Sequence, residues 1–230
     1  MKTIGLLGGM SWESTVPYYQ QINQLVRERL GGLHSAKIVL HSVDFHEIAQ
    51  LQRAGNWDEA EAILSRAAQG LVAAGAELLI ICTNTMHKLA TQIEAAAAIP
   101  LLHIAIPTAE AIQQAGLRKV GLLGTQFTME QPFYRELLQT HYGLEVLIPT
   151  AVERAEVHRV IFEELCVGVV RDDSRQRYQQ IMANLVARGA EGIILGCTEI
   201  AMLVSPEAAA VLLFDTTSLH ARGAVELALA

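Results

Sequence analysis

The chain has few cysteines, few lysines and no long apolar run. Its cysteines, Cys82, Cys166 and Cys197, include no C-x-x-C pair, which argues against a structural zinc site and is typical of the reducing cytosol. None of the four lysines has a context that suggests a Schiff base, so we expect no cofactor. No apolar run reaches the length of a membrane span. Glycine interrupts the first apolar stretch too early for a signal peptide, and we therefore expect a cytoplasmic protein.

Charge and motifs exclude several other classes of protein. The net charge is −7 and the basic residues are scattered, whereas nucleic-acid binding depends on clustered Lys and Arg. The sequence has neither G-x-G-x-x-G nor G-x-x-x-x-G-K-[ST], so no nucleotide site is indicated. The histidines form no H-x-x-x-H pair, and we expect no metal site. We expect a small-molecule ligand instead.

Two stretches of the chain repeat each other without a gap. Segment 71–85 matches segment 185–199 at an offset of 114 residues (185 − 71), and this register pairs Thr83 with Cys197. A second echo joins Gly5–Gly8 to Gly121–Gly124 at an offset of 116 (121 − 5). Such self-similarity indicates two copies of one supersecondary unit. Two related units can present polar side chains to opposite faces of one small substrate.

Short apolar runs alternate with helical patterns, which predicts parallel sheets flanked by helices. The predicted strands are Thr3–Leu7, Lys37–Val43, Glu77–Cys82, Pro100–His103, Lys119–Leu123, Glu145–Ile148, Glu191–Leu195 and Val211–Phe214. The predicted helices include Trp57–Ala74, Met129–His141, Val152–Val170 and Ser174–Ala187. We expect an α/β fold of two pseudo-symmetric lobes with the active site in the cleft between them. One lobe takes residues 1–113 together with a C-terminal helix at about 216–230, and the other takes residues 114–215.

Four predicted strands end in small or hydroxylated residues. In parallel sheets the ligand site lies beyond the carboxyl ends of the strands, where backbone N–H groups and helix N-termini bind carboxylates. We expect the four segments to converge on the cleft. They are Gly8–Ser11, Thr83–Thr85, Gly124–Thr128 and Gly196–Glu199.

Cys197 allows two interpretations. A free cysteine is most often a small buried hydrophobe. Cys197, however, follows an apolar strand and Gly196, and it precedes Thr198 and Glu199. A helix N-terminus at that place would stabilise its thiolate. Position alone leaves both readings open.

The other cysteines and two histidines favour structural roles. Cys82 points away from Thr83 because side chains alternate along a strand, and it is expected in the core. Cys166 lies in a helical pattern and is expected to pack there. His87 follows the Thr83 segment as a helix-start residue that could also modulate the site. His103 is expected in the core or at the lobe interface.

Over essentially its whole length the chain resembles the aspartate/glutamate racemase superfamily, enzymes that use no cofactor and have two pseudo-symmetric α/β lobes. The resemblance rests on Ile4–Thr15, Asn84–His87 and Gly196–Glu199. The segments Val43–Phe45, Leu51–Gln52 and Asn56–Trp57 resemble the branch that acts on aspartate and related amino acids. The resemblance is closest to racemases specific for L-aspartate and L-glutamate or of broad specificity. It also implies a homodimer.

The resemblance implies a two-base mechanism, in which a thiolate removes the α-proton and a thiol opposite returns one. It places Cys197 in the second position of the pair. The first position should be cysteine, but here it is Thr83. An aliphatic hydroxyl is a poor base, so Thr83 could only donate a proton or relay one from water. We therefore expect Cys197 to deprotonate L-amino acids and activity to favour L-substrates. A second departure is Cys166, where relatives acting on aspartate often carry a lysine.

Several residues are candidates for substrate binding. N–H and hydroxyl donors for the α-carboxylate and amino group are expected from Met10, Asn84, Thr85, Thr125, Thr128 and Thr198. Gln52 is a candidate for the side-chain carboxylate, and Glu199 for the substrate ammonium or for orienting Cys197. Plain roles also remain open: Met10 as packing, Gln52 as a solvated helix residue, and Thr125 and Thr128 as helix caps.

Other functions stay open within and outside the superfamily. It includes hydantoin racemases, decarboxylases of substituted malonates and isomerases of maleate, which use one or two cysteines. A single cysteine would suit one-sided protonation by a decarboxylase. Thr83 also makes a non-catalytic amino-acid-binding sensor credible.

Overall fold

The computed structural model describes residues 1–205 and 209–230. It divides into two compact units, one of Met1–Ile104 with His220–Ala230 and one of Ala105–Leu219. Both contain a wholly parallel sheet with helices in the connections, so the predicted α/β fold with two parallel sheets is confirmed. No helix in the described ranges is both long and apolar enough to cross a membrane.

The N-terminal unit has a three-stranded sheet in the order β2-β1-β3. Its elements are β1 (Ile4–Gly8), α1 (Trp12–Leu30), β2 (Ile38–Ser42), α2 (Phe45–Ala54), α3 (Trp57–Ala73), β3 (Leu78–Ile81), a 3-10 turn (Thr85–Leu89) and α4 (Ala90–Ala97). The β1 and β3 strands are buried along their entire length. Burial on both faces explains why these strands are continuous apolar runs rather than alternating ones.

The C-terminal unit has a four-stranded sheet in the order β5-β4-β6-β7. Its elements are α5 (Ala105–Gln114), β4 (Lys119–Gly124), α6 (Gln126–Glu130), α7 (Pro132–Tyr142), β5 (Glu145–Leu147), α8 (Ala151–Glu163), a 3-10 turn (Leu165–Val167), α9 (Asp172–Ala187), β6 (Gly192–Gly196), α10 (Ile200–Leu203), β7 (Leu212–Asp215) and the start of α11 (Thr216–Leu229). Residues 220–229 of α11 belong to the N-terminal unit.

The internal repeat corresponds to equivalent places in the two sheets. Ile81 of β3 pairs with Leu7 of β1, and Leu195 of β6 pairs with Leu123 of β4. Thr83 and Cys197 each lie two residues beyond these paired positions. Each is therefore at the carboxyl end of its own sheet, where parallel sheets bind ligands.

Three of the predicted elements need correction. The run Pro100–His103 forms only an isolated bridge, Leu101 with Leu79, because proline has no N–H and Ile104 donates to a side chain instead. The helix predicted over Met129–His141 is two helices, since Pro132 begins α7 and the residue before it is extended.

The third correction concerns the helical pattern Val152–Val170. Helix α8 ends at Glu163, and Cys166 lies in the separate 3-10 turn that follows it. Gly168 ends that turn in the left-handed conformation, with φ 74°. Cys166 is therefore a partly buried turn residue and not a packed helix residue.

Candidate active site

In the N-terminal unit, Thr15 holds the loop that follows β1. The Gly9 N–H donates to Thr15 Oγ1 at 2.9 Å, and that hydroxyl donates to the Ser11 carbonyl at 2.7 Å. Gly9 has φ 89°, and a Cβ there would meet the Val43 backbone, so the position requires glycine. The Met10 side chain is buried in the hydrophobic core, which leaves its backbone as the part of this residue that could meet a ligand.

The second loop of this unit follows β3 and carries Thr83. The Thr83 N–H donates to the Ile81 carbonyl at 2.9 Å, and the Thr83 carbonyl accepts from Nδ1 of His87 at 2.8 Å. The Thr83 side chain is partly buried, while Asn84 and Thr85 are buried. Because β1 and β3 are parallel neighbours, this loop and the loop after β1 lie at the same edge of the sheet.

Gln52 is not a solvated helix residue. Its side chain lies on α2 and is 4% exposed. Within the described part of the chain, its buried Oε1 has no hydrogen-bond partner. A buried amide without a partner is costly, and it can rotate to present either its oxygen or its NH₂ group. This arrangement suits a polar ligand group.

In the C-terminal unit, two threonines close the first turn after β4. Thr125 caps α6, and its hydroxyl accepts from the Thr128 N–H at 3.3 Å and lies 3.2 Å from the Thr128 hydroxyl. Both side chains are buried. Gly124 faces Gly196 across the sheet so closely that a Cβ on Gly124 would lie 2.7 Å from the Gly196 carbonyl oxygen. Glycine at both places lets the two strand ends approach each other.

Cys197, Thr198 and Glu199 form a compact hydrogen-bonded group at the end of β6. The Cys197 thiol donates to Oε2 of Glu199 at 2.9 Å, and the Thr198 hydroxyl donates to the same oxygen at 2.8 Å. Glu199 is 1% exposed and Cys197 is 7% exposed. The thiol and the carboxylate therefore meet in a site with little exposure to solvent.

These surroundings act against a stabilised thiolate at Cys197. Burial, the negative charge of Glu199 and the nearby Cys166 raise the pKa of Cys197 well above its ordinary value. The helix that follows, α10, has only four residues, Ile200–Leu203, and offers little dipole to oppose this effect. The resting enzyme therefore holds Cys197 as a thiol at neutral pH.

Cys82 is fully buried, and burial raises its pKa far above the ordinary thiol value. It lies in the core as predicted. Cys166, in contrast, acts electrostatically on Cys197. The sequence predicted a packing role for Cys166 and gave no indication of this effect.

A cluster of three histidines lies behind Thr83, and sequence reasoning found only two of them. The ring of His87 lies 4.5 Å from that of His103 and 5.6 Å from that of His220 between centroids. His220 is fully buried on α11, 133 residues (220 − 87) beyond His87. No local motif marks it, because its partners come from distant parts of the chain. In the described ranges no such group of side chains could hold a metal ion.

The profile of the Asp/Glu/hydantoin racemase family matches residues 7–224 of the chain. The chain belongs to this family. Among characterised relatives of this racemase family member, the broad-specificity amino-acid racemase RacX of Bacillus subtilis (strain 168) is 23% identical over 233 residues, covering 99% of this chain and 98% of RacX.

Solved structures of other family members superimpose along the entire chain. A Yersinia pestis protein provisionally classed as an Asp/Glu racemase is 56% identical, with a TM-score of 0.92 and 100% of both chains covered. An aspartate racemase homologue from Pyrococcus horikoshii OT3 is 35% identical, with a TM-score of 0.84 and 100% of both chains covered. Both likenesses extend over the two units of this racemase family member.

Proposed function

We propose that this racemase family member interconverts L- and D-aspartate or L- and D-glutamate without a cofactor. Cys197 takes the α-proton of the L-enantiomer, and Thr83, or a water that it holds, delivers a proton to the opposite face. The observation that carries the proposal is the pairing of Cys197 with the buried carboxylate of Glu199. A thiol that donates to a carboxylate has a proton acceptor within reach.

Glu199 supplies the step that turns the resting thiol into a base. The Cys197 proton moves to Oε2 of Glu199 as the substrate displaces water, and the thiolate that forms removes the α-proton. The two side chains carry one negative charge before and after this transfer, so no charge has to cross the buried site. The S–H···O distance of 2.9 Å supports a direct transfer. Glu199 thus orients and activates Cys197.

Thr83 makes the two directions unequal. Its hydroxyl passes a proton to the carbanion while drawing one from water, and the Cys197–Glu199 pair releases one proton to the solvent, so the protons balance over one turnover. Thr83 is, however, a poor base toward the α-proton of the D-enantiomer. The apparent preference is therefore for L-substrates. In water the two enantiomers have equal free energies, so kcat/KM must match in both directions. The preference resides in kcat and KM separately.

The substrate is held by groups at the strand ends. Asn84 and Thr198 adjoin the catalytic pair, and we propose them as contacts together with Met10, Thr85, Thr125 and Thr128. Gln52, with its unpartnered buried amide oxygen, is proposed for the distal end of the acidic side chain.

We further propose a cytoplasmic homodimer, which light scattering would show as twice the mass of one chain.

The raised pKa of Cys197 favours one alternative within the superfamily. A thiol that stays protonated at rest is ready to donate a proton to one face, as a decarboxylase of substituted malonates requires. Such an enzyme would release carbon dioxide from a malonate and would not exchange the α-proton of an amino acid. The buried carboxylate of Glu199 argues for a substrate that bears an ammonium group.

The test follows L-aspartate and L-glutamate in deuterated water, measuring α-proton loss and D-product together. Racemisation predicts both, and Cys197→Ser abolishes both, whereas Cys82→Ala retains them. Exchange confined to the L-enantiomer would show that Cys197 acts and that Thr83 delivers no proton. Absence of exchange from both substrates would refute the racemase proposal, and a binding or decarboxylation assay would then separate the alternatives.

A further inference from the structure

Two sets of hydrogen bonds in the N-terminal unit, joined by the backbone from Leu102 to Ile104, lead to Thr83. In the first set the Tyr18 hydroxyl lies 2.9 Å from Nδ1 of His220, and Nε2 of His220 lies 2.8 Å from the Leu102 carbonyl. A carbonyl can only accept, so Nε2 of His220 carries the proton and Nδ1 accepts from Tyr18. His220 thereby fixes the segment that leads to Ile104.

The same logic assigns the proton on His87. Its Nδ1 lies 2.8 Å from the Thr83 carbonyl, which can only accept. Its Nε2 accepts from the Ile104 N–H at 3.1 Å, and an N–H can only donate. The two partners therefore select the neutral tautomer with the proton on Nδ1. A proton added to Nε2 would face the Ile104 N–H and break that hydrogen bond.

The environment of His87 keeps it in this neutral form. Its ring is buried, and burial lowers its pKa well below the ordinary value, assisted by His103 and His220. The carbonyls of Thr83 and Leu102 act in the opposite direction, and burial outweighs them. His87 therefore stays a one-proton donor to Thr83 across the neutral pH range.

Thr83 gains a fixed backbone from this arrangement. Its N–H is bound to Ile81 and its carbonyl to His87, so both of its backbone groups are held. The backbone N–H of His87 itself donates to Asn84, and the imidazole takes the place of a helical donor to Thr83. A β-branched side chain on a fixed backbone has few χ1 options. The direction of the Thr83 hydroxyl follows from the position of its carbonyl.

We propose that His87 is the positioning residue of Thr83: its neutral Nδ1–H tautomer, selected by Ile104, aims the hydroxyl that delivers the proton. The inference rests on the proposed racemase function, because it concerns the Thr83 side of that reaction. It assigns His87 no contact with substrate. The histidine acts only through the loop that carries Thr83.

Two substitutions separate the two hydrogen bonds of His87. The amide NH₂ group of asparagine reaches the place of Nδ1, so His87→Asn keeps a donor to Thr83. The amide oxygen of glutamine reaches the place of Nε2, so His87→Gln keeps the acceptor for Ile104 and loses the donor to Thr83. Each variant leaves one buried backbone group unpaired, so both are expected to lose some stability. Only His87→Gln loses the donor to the Thr83 carbonyl.

The kinetic test compares D-product formation with α-proton exchange into the L-substrate. In His87→Gln we expect kcat for D-product to fall on the order of 10-fold to 100-fold with KM within about 2-fold, since a misplaced group loses rate rather than binding. Exchange through Cys197 continues, so the ratio of exchange to racemisation rises. His87→Asn stays near wild type. In a Thr83→Ala background, His87→Gln has no further effect on D-product.

A second measurement is independent of activity. Nitrogen NMR of the His87 ring should show the Nδ1–H tautomer without titration between about pH 5.5 and 9. The Thr83 carbonyl carbon signal should move in His87→Gln and move less in His87→Asn. An Nε2–H tautomer, a ring that titrates in this range, or equal ratios in both variants would overturn the positioning role. A wild-type protein that exchanges no α-proton, yet shows the predicted NMR signals, would instead refute the racemase function.

Discussion

The proposed transfer of the Cys197 proton to Glu199 predicts how activity depends on pH. If the thiol proton passes to Glu199, the active pair keeps one negative charge and kcat/KM of the wild-type enzyme changes little between about pH 6.5 and 8.5. In Glu199→Gln the amide accepts a hydrogen bond but not the proton. Cys197 must then lose its proton to solvent, and kcat/KM falls on the order of 100-fold or more at pH 7 and rises with pH up to about 10-fold per unit.

Two controls accompany this measurement. Glu145→Gln removes an exposed carboxylate that pairs with Lys119 and should leave the profile unchanged. Alkylation of Cys197 should be faster in Glu199→Gln than in the wild type at the same pH, because the negative charge that raises the thiol pKa is gone. A wild-type profile that climbs steeply through pH 8.5 would contradict the transfer to Glu199.

In the proposed mechanism, Thr83 is the residue that limits the reaction of the D-enantiomer. Thr83→Cys supplies a thiol at the place equivalent to Cys197, and we expect kcat with D-aspartate to rise on the order of 10-fold or more. Thr83→Ser keeps the hydroxyl and should give no such gain. Initial rates with each enantiomer measure the effect. Unchanged D-rates in Thr83→Cys would argue against a two-sided proton transfer.

The histidine cluster joins α11 to the turn after β3, and we expect it to make the stability of the N-terminal unit depend on pH. Burial lowers the pKa of His220 to about 3 and that of His87 well below its ordinary value. These rings are neutral when folded and protonated when unfolded below about pH 6.5. Their contribution is therefore complete above pH 6.5 and is lost as the pH falls toward the folded pKa, by about 1.4 kcal/mol per pH unit for each ring.

Tryptophan fluorescence during urea unfolding measures this effect, because both tryptophans, Trp12 and Trp57, belong to the N-terminal unit. Between pH 6.5 and 5 the free energy of unfolding falls with a slope set by the protons that unfolding takes up. We expect this slope to be smaller in His220→Gln by about 1.4 kcal/mol per pH unit, which is the contribution of one ring. Tyr18→Phe removes a partner of His220 but no titrating ring, so it should lower stability and keep the wild-type slope. An identical slope in His220→Gln would show that His220 is not held neutral.

The strands and their order along the chain were predictable from sequence, whereas interactions between distant side chains were not. Continuous apolar runs marked β1, β3, β4 and β6, and the repeat identified Thr83 and Cys197 as equivalent strand-end positions. The break at Pro132 was missed because the apolar pattern continues across it. The break could have been predicted from Pro132 itself, because the residue before a proline disfavours the helical conformation.

The electrostatics of the site depend on side-chain directions that a sequence does not show. Adjacency suggested that Glu199 orients Cys197, yet the rise in thiol pKa follows from burial and from one 2.9 Å contact. His220 meets the cluster only because the C-terminal helix returns to the first unit. The fold and the equivalent strand-end places of Thr83 and Cys197 could therefore be predicted from the sequence, whereas the direction of the thiol pKa shift could not.

The most direct test of the account as a whole is the chirality of aspartate after incubation of L-aspartate with the purified chain. Chiral chromatography should show D-aspartate accumulating toward equal amounts of the two enantiomers, without added cofactor. Cys197→Ser should form none, and Cys82→Ala should form it at close to the wild-type rate. Two results would contradict a Cys197-dependent racemase. One is equal production of D-aspartate by Cys197→Ser, and the other is a lack of D-aspartate from both the wild type and Cys82→Ala.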